Sequence, residues 1–127
     1  MTTGADERER QRLEYVARSI TLIEEYTRGG RDDFQRSAIV QDAVLRRLET
    51  LADATGKLSA ALKARHPNIP WRQVQGFRNV AAHAYEGLDL MRVWEIVDDY
   101  LPALAAVVAI ELNGASAGGD AADRASL

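Results

Sequence analysis

Apolar residues recur at intervals of three and four positions over most of the chain, which is the spacing of amphipathic helices. The first stripe, within residues 6–27, consists of Leu13, Val16, Ile20 and Ile23. Gly29 and Gly30 follow it and are expected to end a first helix. A second helix is predicted over residues 33–55. Its broad stripe consists of Val40, Val44, Leu48 and Leu51, widened by Ile39, Ala43 and Leu45.

The middle of the chain shows the same periodicity, divided by proline and by capping residues. Ser59 is a suitable N-cap for a short helix over residues 59–65. The two prolines within residues 66–70 predict a turn, because proline cannot continue the hydrogen-bond ladder of a helix. A further helix is predicted to follow this turn over residues 71–85.

The last apolar stripe predicts a long C-terminal helix. Asp89 is a good N-cap for it, the stripe continues to about Leu112, and Pro102 is expected to kink or divide it. Residues 113–127 are small or polar and are expected to be disordered. With no alternating strand pattern and no internal repeat, residues 1–112 are predicted to form a single-domain, all-α bundle of four to five helices.

Composition limits which kinds of function are open to this chain. Its 127 residues suit one domain, and no window approaches the roughly 18 consecutive apolar residues of a membrane span. The charged N-terminal residues do not suit a signal peptide, so we expect a cytoplasmic protein. There is no cysteine, and His66 and His83 lack the spacing of a zinc motif, so we expect neither a metal site nor a cofactor. A net charge of -3 confines any nucleic-acid chemistry to a local site.

The stretch FRNVAAHAYEG, residues 77–87, carries the strongest candidate chemistry. On an ideal helix at about 100° per residue, its polar residues lie around one side, with the small Ala82 among them. These polar residues are Arg78, Asn79, His83 and Tyr85. The opposite side is apolar and consists of Val80, Ala81 and Ala84.

An arginine and a histidine on one helix face form a minimal set for cleaving RNA without a metal. Arg78 could bridge phosphate oxygens and stabilise a pentacovalent transition state, and His83 could transfer protons near neutral pH. Asn79 could orient the imidazole or bind a phosphate oxygen. The alternative is a solvated polar face with no chemistry, and geometry on a helical wheel does not distinguish the two.

The segment IPWRQVQGFRNVAAHAYEGLDLMRVWEIVDDYLPAL resembles the signature region of HepT-like toxins, which belong to the HEPN superfamily of helical ribonucleases. The R-x-x-x-x-H-x-Y motif corresponds to Arg78, His83 and Tyr85, with Asn79 directly after the arginine. The upstream segment QDAVLRRLETLADATGKLS, residues 41–59, also looks like the second helix of this family. Together the resemblance extends over about residues 13–112.

The resemblance implies a homodimer in which two Arg/His sets face one RNA cleft. It also implies a type VII-like toxin–antitoxin pair, in which a minimal nucleotidyltransferase similar to MntA AMPylates the tyrosine of the motif, here Tyr85. Two alternatives stay open: a non-catalytic module that binds RNA or its partner, and an accessory subunit of a nucleotidyltransferase. Further cations could line an RNA cleft, although charges on helix faces are usually only solvated. These are Arg46, Arg47, Lys57 and Arg72.

Overall fold

Helices account for nearly all of the residues that the computed structural model describes, which are 4–84 and 90–125, and no strand occurs in these two ranges. The helices are α1 (Gly4–Tyr26), α2 (Gly30–Arg36), α3 (Ala38–Gly56), α4 (Ala60–Arg65), α5 (Trp71–Gln75), α6 (Phe77–Ala84), α7 (Leu90–Glu95) and α8 (Leu101–Ala125). A π-helical turn, Ile96–Tyr100, joins α7 to α8. The predicted all-α fold is confirmed.

The predicted second helix is divided at Ser37, so the prediction of one continuous helix was wrong. Ser37 has extended backbone angles, with φ -108° and ψ 108°, and its hydroxyl accepts a hydrogen bond from the backbone N–H of Val40. The side-chain amide of Gln41 donates to the carbonyl oxygens of Phe34 and Gln35 at 2.9 and 3.0 Å. Ser37 therefore acts as an N-cap, and Gln41 satisfies carbonyl groups that the end of α2 leaves without helical partners.

Two other interruptions lie close to glycine and proline. Gly76 separates α5 from α6, where one helix was predicted. The chain widens into the π-helical turn directly before Pro102, and the N–H of Leu101 donates to the carbonyl of Ile96. The predicted division near Pro102 is confirmed. Proline supplies no N–H to the helical hydrogen bonds, and the π-helical turn shifts those bonds by one residue just before it. The predicted cap at Asp89 lies outside the described residues.

The core is built around α3, which packs against α1 on one side and α6 on another. Val44, Leu48 and Leu51 on α3 are fully buried, as their common stripe predicts. Truncating such a leucine to alanine typically costs about 2–5 kcal/mol. Ile39 was expected to widen this stripe but is 82% exposed, since it lies just after the break at Ser37 and faces away from the bundle.

A cluster of polar side chains joins the end of α4 to α8. Arg65 binds the Glu111 carboxylate through Nε and Nη2, at 3.2 and 2.7 Å. His66 Nε2 lies 2.6 Å from Oε2 of the same carboxylate. The sequence gives no local signal for this contact, because Glu111 is 45 residues beyond His66. We call these three residues the Glu111 cluster.

The C-terminal helix continues beyond the predicted domain boundary at residue 112. Its backbone is helical to Ala125, and its side chains are described as far as Gly114. The disorder expected of residues 113–127 therefore stays a prediction. Within the described ranges, no helix is both long enough and apolar enough to cross a membrane.

Candidate functional site

Helix α6 divides into a buried and an exposed face, as the helical wheel predicts. Phe77, Ala81 and Ala84 are at most 5% exposed and belong to the core. The exposed face consists of Arg78, Asn79, Ala82 and His83. The apolar contacts therefore fix the orientation of α6 and direct the predicted arginine, asparagine and histidine to the surface.

The buried face of α6 explains why this helix is held firmly. The Phe77 and Tyr100 rings form a T-shaped pair with a centroid distance of 5.5 Å, and the Tyr100 hydroxyl donates to Oε1 of Gln73. Ala81 and Ala84 are small, which permits a close approach of α6 to its neighbours in the core. The exposed polar groups thus stand on a packed helix, which places a reactive group more accurately than a loop does.

Arg78 contacts α3 through a loose ion pair with Asp53. Arg78 Nη1 lies 3.7 Å from Asp53 Oδ1, and the two side chains are 64% and 49% exposed. Asp53 Oδ2 also lies 3.3 Å from the Lys57 ammonium. Exposed pairs of this kind contribute about 0–1 kcal/mol, so Asp53 orients Arg78 only weakly and leaves its guanidinium open to solvent.

His83 lies five residues after Arg78, which corresponds to an axial offset of about 7.5 Å on α6. Its side chain is exposed, and Asn79 lies one turn before it on the same exposed face. Tyr85, the predicted modification site, lies outside the described residues. Helix α6 therefore presents one guanidinium and one imidazole on its exposed face, at the positions that the sequence predicts.

A surface pocket beside this face was not predicted from the sequence. It is open to solvent, has a volume of about 400 Å³ and lies between α1 and α3, and Asp53 is part of its wall. Its lining residues are Arg8, Gln11, Arg12, Tyr15, Thr50, Asp53, Ala54 and Lys57. Only Lys57 among them was considered as a candidate. The signal that sequence reasoning missed is the spacing of these residues. The four on α1 and the four on or directly after α3 each recur at steps of one, three or four residues, which places each group on one face of its helix.

The described parts of the chain contain no group of three or more histidine, aspartate or glutamate side chains that could hold a metal ion. The chemistry available on α6 itself is therefore that of a guanidinium, an amide and an imidazole. These groups can bind a phosphodiester, neutralise charge on it and move a proton.

Comparisons with known proteins bear on what such a site does. The profile of the family described as "Ribonuclease HepT-like" matches residues 16–110. Over 93 residues, or 72% of the chain, the sequence is 39% identical to "Probable ribonuclease HepT" of Thermococcus cleftensis, and the match covers 84% of that protein. No solved structure shows a significant match to the chain.

Two further relatives have names that also refer to RNA cleavage. A protein of Methanocaldococcus jannaschii named "Gamma-glutamylcyclotransferase and putative RNase" is 38% identical over 93 residues, 72% of this chain, but the chain matches only 42% of its length. A "Putative RNase" of Caldanaerobacter subterraneus subsp. tengcongensis is 26% identical over 93 residues, 72% of this chain and 83% of that protein. The family profile spans most of the chain and a 39% identical relative is covered over most of its length, so this chain belongs to the HepT-like ribonuclease family of the HEPN superfamily.

Proposed function

We propose that this chain is a metal-independent endoribonuclease and the toxin of a type VII-like toxin–antitoxin pair. The observation that carries the proposal is the exposure of Arg78 and His83 on one face of α6, whose opposite face is locked into the core. Family membership supports RNA as the substrate. Asn79, one turn before His83, orients the imidazole or binds a phosphate oxygen.

The reaction uses the RNA's own nucleophile. His83 removes the proton from a 2'-hydroxyl as that oxygen attacks the adjacent phosphorus, and the bond from phosphorus to the 5'-oxygen breaks. The 5'-oxygen takes up a proton and leaves as a hydroxyl, while the other fragment ends in a 2',3'-cyclic phosphate. Arg78 compensates the extra negative charge of the pentacovalent transition state.

The proton balance favours two copies of the chain. One imidazole cannot be base and acid at the same instant, and α6 exposes a single histidine. We therefore propose a homodimer in which the α6 faces of two subunits line one cleft, so that one His83 removes a proton and the other delivers one. Adding an excess of the His83→Ala chain to the parent tests this, because a mixed dimer lacks either the base or the acid. Activity should then fall more steeply than the fraction of parent chains, whereas a fall in proportion to that fraction would contradict the shared cleft.

We propose further that a minimal nucleotidyltransferase similar to MntA is the antitoxin, and that it AMPylates Tyr85. A phosphate-bearing adduct two residues after His83 would bring negative charge close to Arg78 and compete with RNA. Intact mass spectrometry of the chain, co-expressed with the product of its neighbouring gene, tests for this AMPylation. The expected result is the mass of one or more adenylate groups, which disappears in Tyr85→Phe.

Cleavage of RNA in the presence of EDTA tests the nuclease itself. Purified protein is expected to cut a 5'-labelled RNA and leave 2',3'-cyclic phosphate or its hydrolysis product. The same RNA with 2'-O-methyl groups should stay intact, because its nucleophile is blocked. If the protein retains RNA on a gel without cutting it, the nuclease proposal fails and a non-catalytic binding module takes its place. With a net charge of -3, such a module would bind RNA weakly and only at a local site.

A further inference from the structure

The pocket between α1 and α3, which we call the α1–α3 pocket, has a charge opposite to that of the whole chain. The protein carries a net charge of -3, yet the pocket wall contains three cations, Arg8, Arg12 and Lys57, and one carboxylate, Asp53. The acidic Glu9 on α1 is turned elsewhere, since its carboxylate accepts hydrogen bonds from the backbone N–H and hydroxyl of Ser59. The pocket therefore attracts anions locally.

The cations differ in how far the fold already uses them. Arg12 Nη1 donates to the backbone carbonyl of Lys57 at 3.3 Å, at the C-terminal end of α3 where cations are favourable. Lys57 is 59% exposed in its pair with Asp53, and Arg8 is exposed. Arg12 thus has a structural role, whereas Arg8 and Lys57 can turn to a ligand at little cost.

The pocket also contains an aromatic ring, which a site for inorganic anions does not need. Tyr15 is half-buried in its wall, and the guanidinium carbon of Arg18 lies 6.0 Å from the centre of the ring. An aromatic ring beside arginine side chains is the combination that single-stranded nucleic acid uses, because bases stack on the ring and phosphates bind the cations.

Asp53 connects the pocket with the candidate catalytic face. Its carboxylate contacts Lys57 through one oxygen and Arg78 through the other, so the two cations are separated by a single carboxylate group. A strand bound at Arg78 thus needs little length to reach the pocket. The volume of about 400 Å³ lies within the range of small-molecule sites and accommodates one nucleotide.

We propose that the α1–α3 pocket binds a nucleotide of single-stranded RNA next to the one whose phosphate faces Arg78. Tyr15 stacks on the base, and Arg8 and Lys57 bind the phosphate. This subsite rests on the proposed ribonuclease function, because that function supplies the strand and its direction past Arg78. It makes the enzyme prefer substrates longer than a dinucleotide.

Binding of a labelled 2'-O-methyl RNA octamer to the full-length protein, followed by fluorescence anisotropy over a range of salt concentrations, tests the subsite without any cleavage. The double variant Arg8→Ala/Lys57→Ala is expected to bind about tenfold more weakly. Its plot of log K against log salt should be shallower by about 0.7, since the two cations bind one phosphate and each neutralised phosphate of a single strand contributes about 0.7. Arg28→Ala/Arg31→Ala is the matched control, because it also removes two positive charges, from exposed arginines that follow the opposite end of α1.

Tyr15→Leu separates stacking from charge. It keeps an apolar side chain against the bundle and is expected to weaken binding about tenfold while leaving the salt slope unchanged, because stacking releases no counterions. Urea unfolding midpoints equal to that of the parent would show that both variants are folded. If the double variant is unfolded, Lys57→Gln replaces it and is expected to bind the octamer about threefold more weakly. If Tyr15→Leu is unfolded, Tyr15→Phe replaces it and is expected to bind as the parent does, because phenylalanine keeps the ring.

The outcomes separate the subsite from the nuclease proposal. If the double variant and Arg28→Ala/Arg31→Ala bind the octamer with the same affinity and the same slope, the subsite is wrong even when the protein cleaves RNA. If the parent never cleaves RNA but the predicted losses appear, the subsite stands and the nuclease proposal falls. In an active enzyme, the double variant should raise KM for an unmodified RNA octamer more than KM for a dinucleotide, which is too short to reach the pocket.

Discussion

Two arginine–carboxylate pairs join distant parts of this chain, and they differ in their geometry and in the burial of the carboxylate. Arg65 binds Glu111 at 2.7 Å with a second contact from Nε, and the Glu111 side chain is only 14% exposed. Arg78 lies 3.7 Å from Asp53, and both side chains are about half exposed or more. The first pair is committed to the fold, whereas the second leaves an arginine available to a ligand.

The titration of Glu111 reflects this commitment. Hydrogen bonding by Arg65 holds the pKa of the Glu111 carboxyl below its ordinary value, and His66 adds a further hydrogen bond that favours the charged form. The same hydrogen bond raises the pKa of Arg65. A pair in which each partner stabilises the charge of the other lowers the free energy of the folded state, and it keeps two of the five N–H donors of Arg65 on Glu111.

The largest expected effect comes from removing Arg78, the arginine that is open to a ligand, or His83 on the same helix. Arg78→Ala and His83→Ala should each lower kcat for RNA cleavage by at least about 100-fold, since each removes a charge clamp or a proton-transfer group. Both side chains are exposed, so the free energy of unfolding should change by less than about 0.5 kcal/mol. Single-turnover cleavage assays and urea unfolding measure the two quantities.

Arg28→Ala is the control for this pair of variants, because it removes one exposed positive charge outside α6. It should cleave RNA like the parent. Equal activity of Arg78→Ala and Arg28→Ala would contradict the catalytic role of Arg78. The contrast between Arg78 and Arg65 would then no longer hold.

The Arg65–Glu111 pair should give the reverse result, a loss of stability without a loss of RNA cleavage. Glu111→Gln is expected to lower the free energy of unfolding by about 2 kcal/mol, because it replaces a charge-assisted bidentate contact by a neutral one. Cleavage by the folded protein should be unchanged. Glu14→Gln is the matched control, since its pair with Arg10 is about half exposed and contributes less than about 0.5 kcal/mol.

The pH dependence of stability sharpens the same point. The pKa of Glu111 is lower in the folded chain than in the unfolded chain, so its stabilisation is complete above the ordinary value of 4.5. It is lost as the pH falls from there through the lower folded value. The stability difference between the parent and Glu111→Gln should therefore shrink as unfolding is measured from pH 7 down to pH 3. A difference that stays constant over this range would contradict the role of the carboxylate charge.

The two pairs also show what the sequence alone can predict. The facing of α6 follows from its own periodicity, because a helix that must bury Phe77, Ala81 and Ala84 exposes Arg78 and His83. The contacts of Asp53 and Glu111 depend on how separate helices pack, and no spacing within one helix contains that information. The break at Ser37 escaped prediction for a related reason, since it depends on side-chain bonds to the backbone within a strongly periodic stretch.

The smallest expected effect comes from removing the loose carboxylate. Asp53→Asn should change the free energy of unfolding by less than about 0.5 kcal/mol, because its ion pairs are exposed. It should strengthen RNA binding about two- to threefold at low salt, since Arg78 and Lys57 no longer have a competing anion between them. Asp32→Asn makes the same change of net charge at an exposed position of α2 and should have a smaller effect. A loss of cleavage in Asp53→Asn comparable to that of Arg78→Ala would instead mean that Asp53 holds the arginine in place, and the two pairs would then be alike.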